Sequence, residues 1–303
     1  MTVANQKTVS GFLHVSWRTA GTVARRVAER VKASMPSPFD GLHAIGADET
    51  SHRKGHTYLT VVVDHERHRV IWAHDGVGGD VFDLFFKALT PEQHASIRVV
   101  TGDGARWIDP CVGRWRPNAE RVLDGFHIVS WMTDALDKVR KRLWNQARRD
   151  GDEKTTKRMR GVKYAVLKNP GDLTDRQSEA FGNLRNTGPK GQLYRSWQLK
   201  ELLRTLLKHP LEQARGELRH WVFRASHSRI PEIVEPAKKI RRRRPDILRT
   251  IQLGYSNARL EAFNNRIKVT IRMAYGFHRV TNLIALIMLR CGGLDIRLPQ
   301  PTI

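Results

Sequence analysis

The 303-residue sequence is short of sulfur, of long apolar runs and of acid, and each shortage excludes a class of protein. Two cysteines, Cys111 and Cys291, cannot supply a zinc site or a disulfide framework, and neither lies in a CxxC pair. No apolar stretch approaches the roughly 20 residues that span a bilayer, and no signal-peptide pattern opens the chain, so a cytoplasmic protein with no membrane partner is expected. Asp and Glu number 30 against 53 Lys and Arg, a formal charge of +23 with a pI near 10.8. That excess suits a polyanionic partner. With 40% hydrophobic residues the chain can still bury one large core or two modest ones.

Residues 1 to about 36 carry helical periodicity. A short helix at about Val9 to Leu13 leads into a longer one with Ser16 as candidate N-cap and Ala20, Val23, Val27 and Val31 as its apolar stripe. The pair matches the second half of a helix-turn-helix, which would bring Trp17, Arg18 and Thr19 to a DNA groove; a plain helical lead-in is the competing reading. Pro36-Ser37-Pro38 ends this segment.

From about 41 to 127 the pattern turns to strands. His43 to Asp48, Thr57 to Asp64 and Arg69 to Ala73 come first, the last two as a hairpin, followed by an amphipathic helix on Val81, Leu84, Phe85 and Leu89. Ile97 to Asp103 and Ala119 to Asp124 supply two more strands, separated by a Trp-rich segment with room for a short helix. Three strands, helix, strand, helix, strand is the order of a ribonuclease-H-like α/β sheet. Asp48, Asp103 and Asp124 are expected to close the first, fourth and fifth strands, where open α/β sheets gather ligands. Hard oxygen donors favour magnesium or manganese over zinc, whereas a strand-end Asp taken singly reads equally as a turn or a helix N-cap. Glu49 adjoins Asp48, but side chains alternate along a strand, so only one of the two faces such a site.

A further acid lies far along the chain. Read as a helix, Tyr255 to Lys268 places Asn257, Glu261, Asn264, Asn265 and Lys268 on one face and Leu260, Phe263 and Ile267 on the other. A carboxylate among amides and an ammonium suits a metal ion beside a phosphate; an ordinary amphipathic surface helix is the alternative. Between the two parts, residues 130–249 show helical periodicity and no strand alternation, with breaks at Asn169-Pro170-Gly171 and Thr187-Gly188-Pro189. The chain thus divides into a partial helix-turn-helix at 1–36, an α/β core at 37–129 and 250–303, and an all-helical insertion at 130–249. Lys238, Lys239, Arg241, Arg242, Arg243 and Arg244 form the densest cationic run, a candidate for DNA phosphate contact or a solvated face. The tryptophans Trp107, Trp115, Trp131, Trp144, Trp197 and Trp221 are expected as core anchors.

Four separated motifs carry a family resemblance: Ile45-Gly46-Ala47-Asp48-Glu49 through Asp64, Asp124-Gly125-Phe126-His127, Leu167-Lys168-Asn169-Pro170, and the Ser256 to Lys268 helix with Ala274-Tyr275-Gly276-Phe277. Together they resemble the ISL-three family of bacterial insertion-sequence transposases, in order from about residue 12 to about 295. The resemblance implies a DDE transposase whose triad is Asp48, Asp103 and Glu261, holding two Mg²⁺ (or Mn²⁺) ions for DNA cleavage at transposon ends and strand transfer to target DNA. It also implies supporting roles for Asp124, His127, Asn257, Asn265 and Lys268, DNA contact by Arg53 and Lys54, and a homo-oligomer in the synaptic complex. Family members begin with a Cys-rich zinc ribbon and a whole helix-turn-helix, which this sequence lacks. The alternative is therefore a catalytically silent, shortened transposase acting as a DNA-binding or regulatory fragment.

Overall fold

The computed structural model describes residues 4–53, 55, 57–182, 191–255, 258–274 and 276–295. In chain order the elements are α1 (Gln6–Phe12), α2 (Trp17–Ser34), β1 (Ala44–Arg53), β2 (Thr57–Asp64), β3 (Arg69–Asp75), α3 (Gly79–Lys87), α4 (Pro91–Ser96), β4 (Val99–Gly102), α5 (Ile108–Trp115) and β5 (Glu120–Leu123). They continue with α6 (Gly125–Arg149), α7 (Glu153–Gly161), α8 (Lys163–Leu167), a 3-10 turn at Pro170–Asp172, α9 (Asp175–Gly182), α10 (Gln192–Leu206), α11 (Leu211–Ser226), α12 (Pro231–Arg242), α13 (Arg244–Leu253), α14 (Ala258–Met273) and α15 (Val280–Cys291). Two compact units result, one of residues 1–122 with 256–303 and one of residues 123–255. Among the described residues no helix is long and apolar enough to cross a membrane.

The first unit is built on a five-stranded sheet of order β3-β2-β1-β4-β5, in which β1 runs antiparallel to β2 and parallel to β4. Strand alternation sorts its side chains into two apolar layers. Ile45, Ala47, Val62, Ile71 and Val100 pack with Phe82, Phe85 and Phe86 of α3 and with Ile108 of α5. On the opposite face Leu59, Val61, Val63 and Val70 pack with Leu260, Phe263 and Ile267 of α14 and with Leu283, Leu286 and Ile287 of α15. Trp107 and Trp115 flank the first layer, as anchors.

The leading helices belong to this unit rather than to a separate segment. Ser16 caps α2 as expected, accepting the Thr19 N–H at 3.0 Å. The buried stripe, however, is Ala20, Gly21, Ala24 and Ala28, while Val23 and Val27 are exposed. Small residues win because α2 lies close against its neighbours: a Cβ at Gly21 would come within 2.8 Å of the Asn282 amide on α15.

The second unit is all helical and has its own core, drawn from Leu136, Val139 and Leu143 of α6, Leu199 and Leu203 of α10, Leu218 and Trp221 of α11, Ile233 and Ile240 of α12, and Ile247 of α13. It spans 123–255, wider than the expected 130–249, and the helix read through 231–249 is broken at Arg243. Among the described residues its interior holds one ammonium: Lys200 donates to the carbonyls of Val166 (3.1 Å) and Lys168 (3.2 Å), closing the end of α8, and pairs with Glu201 at 2.8 Å.

Candidate active site

The parallel pairing of β1 with β4 runs from Ala44 opposite Val99 to Ala47 opposite Gly102. The next residues are Asp48 and Asp103, so the two acids follow the last paired positions of neighbouring strands, whose backbones run about 4.8 Å apart, although 55 residues separate them in sequence. Asp48 does not close its strand, as the apolar run ending in acid had implied; β1 continues to Arg53 because β2 still pairs with it there. What ends at Asp48 is the parallel ladder, and β4 turns away as Asp103 Oδ1 accepts the Ala105 N–H at 2.8 Å.

Helix α14 is seated on β1 beside Asp48. Two residues before Asp48, on the same face, a Cβ at Gly46 would meet His65 Nε2 and Leu260 Cδ1 at 2.7 Å each and Thr101 Oγ1 at 2.9 Å. The missing side chain thus admits Leu260 to the sheet and lets His65 Nε2 hydrogen-bond Thr101 Oγ1 at 2.7 Å. One helical turn on, Asn264 Nδ2 donates to Asp48 Oδ2 at 2.6 Å, while the Glu49 N–H donates to Asp48 Oδ1 at 2.7 Å. Asn264 is buried and its Oδ1 has no hydrogen-bond partner among the described residues. Glu261 lies three residues earlier on α14 and is exposed, as are Asn265 and Lys268. The amide that meets the first acid is therefore Asn264, not Asn265. Its signal in the sequence is a polar residue set between Leu260 and Ile267 on the stripe that is buried. Asn257 and Lys54 lie outside the described residues.

Glu49 points to the other face, where its Oε1 accepts the Gly78 N–H at 2.9 Å ahead of α3. Burial pushes its carboxyl above the ordinary range; the Gly78 N–H draws it back, and the charges of Asp103 and Asp48 push it up further. The folded chain therefore holds the Glu49 proton more tightly than the unfolded chain. Its contribution is fully present below the ordinary carboxylate range and is lost as pH rises through the raised folded value. Glu49→Gln should gain stability relative to the parent as pH climbs through the weakly acidic range. Denaturant midpoints at about pH 4 and about pH 7 measure this, and a pH-independent difference would contradict it.

Comparison with known proteins gives the family. Residues 45–287 match a family model described as Transposase, that of the ISL3 (ISL-three) DDE transposases. The chain belongs to the ISL3 family of insertion-sequence transposases. It is 38% identical over 320 aligned residues to the transposase for insertion sequence element IS1557 of Mycobacterium tuberculosis, covering 99% of this chain and 71% of that relative. It is 27% identical over 277 residues to the transposase for insertion sequence element IS1001 of Bordetella parapertussis, covering 90% and 66%.

Elsewhere in this transposase the expected residues are placed as follows. Asp124 is the N-cap of α6 in the helical unit, accepting the Phe126 N–H at 3.1 Å, with His127 Nε2 at 3.8 Å from its carboxylate. Arg53 donates to the Phe277 carbonyl and so ties the end of β1 to the segment after α14. Trp17 meets the His278 ring edge-on at 5.9 Å, and Arg18 and Thr19 are exposed at the start of α2. In the cationic run, Lys238 pairs with Glu235 at 2.8 Å, Arg243 with Asp246 at 2.7 Å, and the Lys239 ammonium lies 3.6 Å from the centre of the Trp131 ring. Arg241 and Arg242 are exposed, Arg241 donating to Ser226 Oγ at 3.3 Å, and Arg244 is half-buried.

Proposed function

We propose that this transposase acts by DDE chemistry on a ribonuclease-H-like core, cleaving DNA at transposon ends and joining the freed 3′-ends to target DNA. Asp48 and Asp103, side by side where the β1–β4 ladder ends, with α14 hydrogen-bonded to Asp48, carry this assignment. The strand order, three antiparallel strands followed by a fourth parallel to the first, is that expected of such a core.

The donor chemistry fits a hard divalent cation. Two carboxylates adjoin, Glu49 nearby is destabilised by the charge of both, and the buried Asn264 Oδ1 offers a further oxygen. Among the described residues no three acidic, His or Cys side chains stand close enough to hold a metal by themselves. Asp48 and Asp103 would hold magnesium or manganese, with Glu261 joining them from α14. A cation there would lower the pKa of an attacking hydroxyl and neutralise charge on the phosphate.

Asn264 and the Glu49 N–H, one on each oxygen of Asp48, fix the orientation of its carboxylate, and exposed Lys268 offers an ammonium to a neighbouring phosphate. In the first step water attacks the phosphodiester, a P–O bond forms, the 3′-oxygen leaves and takes up a proton. In the second, that 3′-hydroxyl attacks a target phosphodiester, exchanging one P–O bond for another. Neither step needs a protein nucleophile, and the buried Cys111 thiol, pushed up to about 11 by burial, is unsuited to be one.

The test is a cleavage and strand-transfer assay on intact and pre-cleaved element ends, with and without Mg²⁺. Mg²⁺-dependent nicking and joining are expected, both lost on chelation. DNA binding with no product from either substrate would overturn the proposal and make the chain a silent DNA-binding fragment.

A further inference from the structure

The helical unit carries a cleft of about 560 Å³ between α7 and α9. Lys157 and Arg158 of α7 and Arg176 of α9 line it, with Thr174, Gln177 and, as the one acid among the described residues, Glu179. Helix α7 buries only Met159, so its charged side chains are committed to solvent rather than to the core. Lys157, Arg158 and Arg176 are exposed, and among the described residues none has a carboxylate within 4.0 Å, although Arg158 acts on the charge of Asp152 at the start of α7. Lys154, Arg160 and Lys163 are also exposed and add to the positive field.

The wall opposite α7 is fixed. Thr174 Oγ1 accepts the Gln177 N–H at 3.4 Å, and Gln177 Oε1 accepts the Thr174 N–H at 3.2 Å and the Lys168 ammonium at 3.2 Å. The run at 238–244 contrasts with this cleft, since Lys238, Lys239 and Arg243 already hold intramolecular partners.

We infer that this cleft, rather than the 238–244 run, is the main seat for the phosphodiester backbone of DNA on the helical unit. The inference rests on the reading of the chain as a protein that acts on DNA. Among the described residues no aromatic side chain lines the cleft, so they offer no platform on which a base could stack; cations and small polar groups suit the sugar–phosphate chain and bind it without regard to sequence.

The test measures binding of the full chain to a short random-sequence duplex across a range of salt, by fluorescence anisotropy. Each phosphate contact contributes about 0.9 to the slope of log affinity against log salt, so Lys157→Gln with Arg158→Gln and Arg176→Gln should flatten it by about 2.7 and weaken low-salt binding roughly 10- to 100-fold. Single variants should each flatten it by about 0.9, which keeps the test decisive should the triple variant lose its fold. Lys238→Gln with Arg241→Gln and Arg242→Gln should have the smaller effect. An unchanged slope in the cleft variants, a larger loss in the α12 variants, or a parent that does not bind the duplex would each overturn the inference. Strand-cleavage activity is a separate readout: a parent chain that gives the expected salt slopes but no Mg²⁺-dependent cleavage would sink the DDE mechanism and leave the cleft standing.

Discussion

Asp48→Asn should abolish strand cleavage, by about a thousandfold or more, and leave the thermal midpoint nearly where it is. The activity loss follows from taking one anionic oxygen donor out of a set that has two side by side: a cation's stabilisation of a phosphoryl transition state is worth several kcal/mol, and each ~1.4 kcal/mol is tenfold in rate. Stability is expected to move the other way or not at all. Asp48 stands beside Asp103 and contributes to the charge that raises Glu49, so neutralising it relieves repulsion. Against that, the Asn264 amide and the Glu49 N–H lose a charged acceptor, a cost on the order of 1 kcal/mol, since an amide oxygen still accepts one of them. Glu261→Gln should lose cleavage to a similar degree with no change in midpoint, because Glu261 is exposed. Activity and midpoint falling together in Asp48→Asn would mark a structural acid. Full cleavage by Glu261→Gln would remove it from the catalytic set.

The divergence expected of Asp48 is the mark of a site whose local charge is held against the preference of the fold. The same tension decided what was legible in the sequence. Asp48 and Asp103 were readable because a short apolar run ending in acid announces β1 and a β-branched one announces β4, and a parallel pair brings strand positions together whatever their separation along the chain. Asn264 was harder: two adjacent amides are 100° apart on a helix, and only the docking of Leu260 and Ile267 decides which one turns inward. Asp124 carried two readings, and the structure shows it as a helix cap.

Other features left almost no trace. Helix α7 reads Glu-Lys-Thr-Thr-Lys-Arg-Met-Arg-Gly and buries one side chain, so it has no apolar stripe to detect, although its cations line the cleft of the helical unit. In α2 the valines suggested the wrong face, because hydrophobicity ranks Val above Ala whereas close packing on α15 required Ala and Gly. The cationic run was legible as charge but not as contact, since Glu235, Asp246 and Trp131 lie outside it and supply its partners.

Gly46→Val should cost the first unit a few kcal/mol of stability and reduce cleavage about a hundredfold or more, though it alters no group with chemistry of its own. Gly46 does not have a positive φ, so its backbone places no demand for glycine, and valine is a favoured strand residue. The requirement is space. A single Cβ already falls 2.7 Å from His65 Nε2 and from Leu260 Cδ1, and 2.9 Å from Thr101 Oγ1. The His65 ring is held by its bond to Thr101, so it yields little, and the burden falls on Leu260 and with it the seat of α14. Overpacking of this kind costs about 1–3 kcal/mol, and a displacement of about 1 Å at a catalytic group can cost a hundredfold in rate. Moving α14 draws Asn264 from Asp48 and carries Glu261 with it. Gly46→Ala should show a milder form of the same defect. Leu260→Ala in the Gly46→Ala background should recover part of the activity by removing one of the two closest contacts, while the contact with His65 limits the recovery. A double-mutant cycle measures that coupling. If Leu260→Ala and Gly46→Ala simply add, α14 is not seated through Gly46, and the proposal that Glu261 joins the two aspartates loses its structural support.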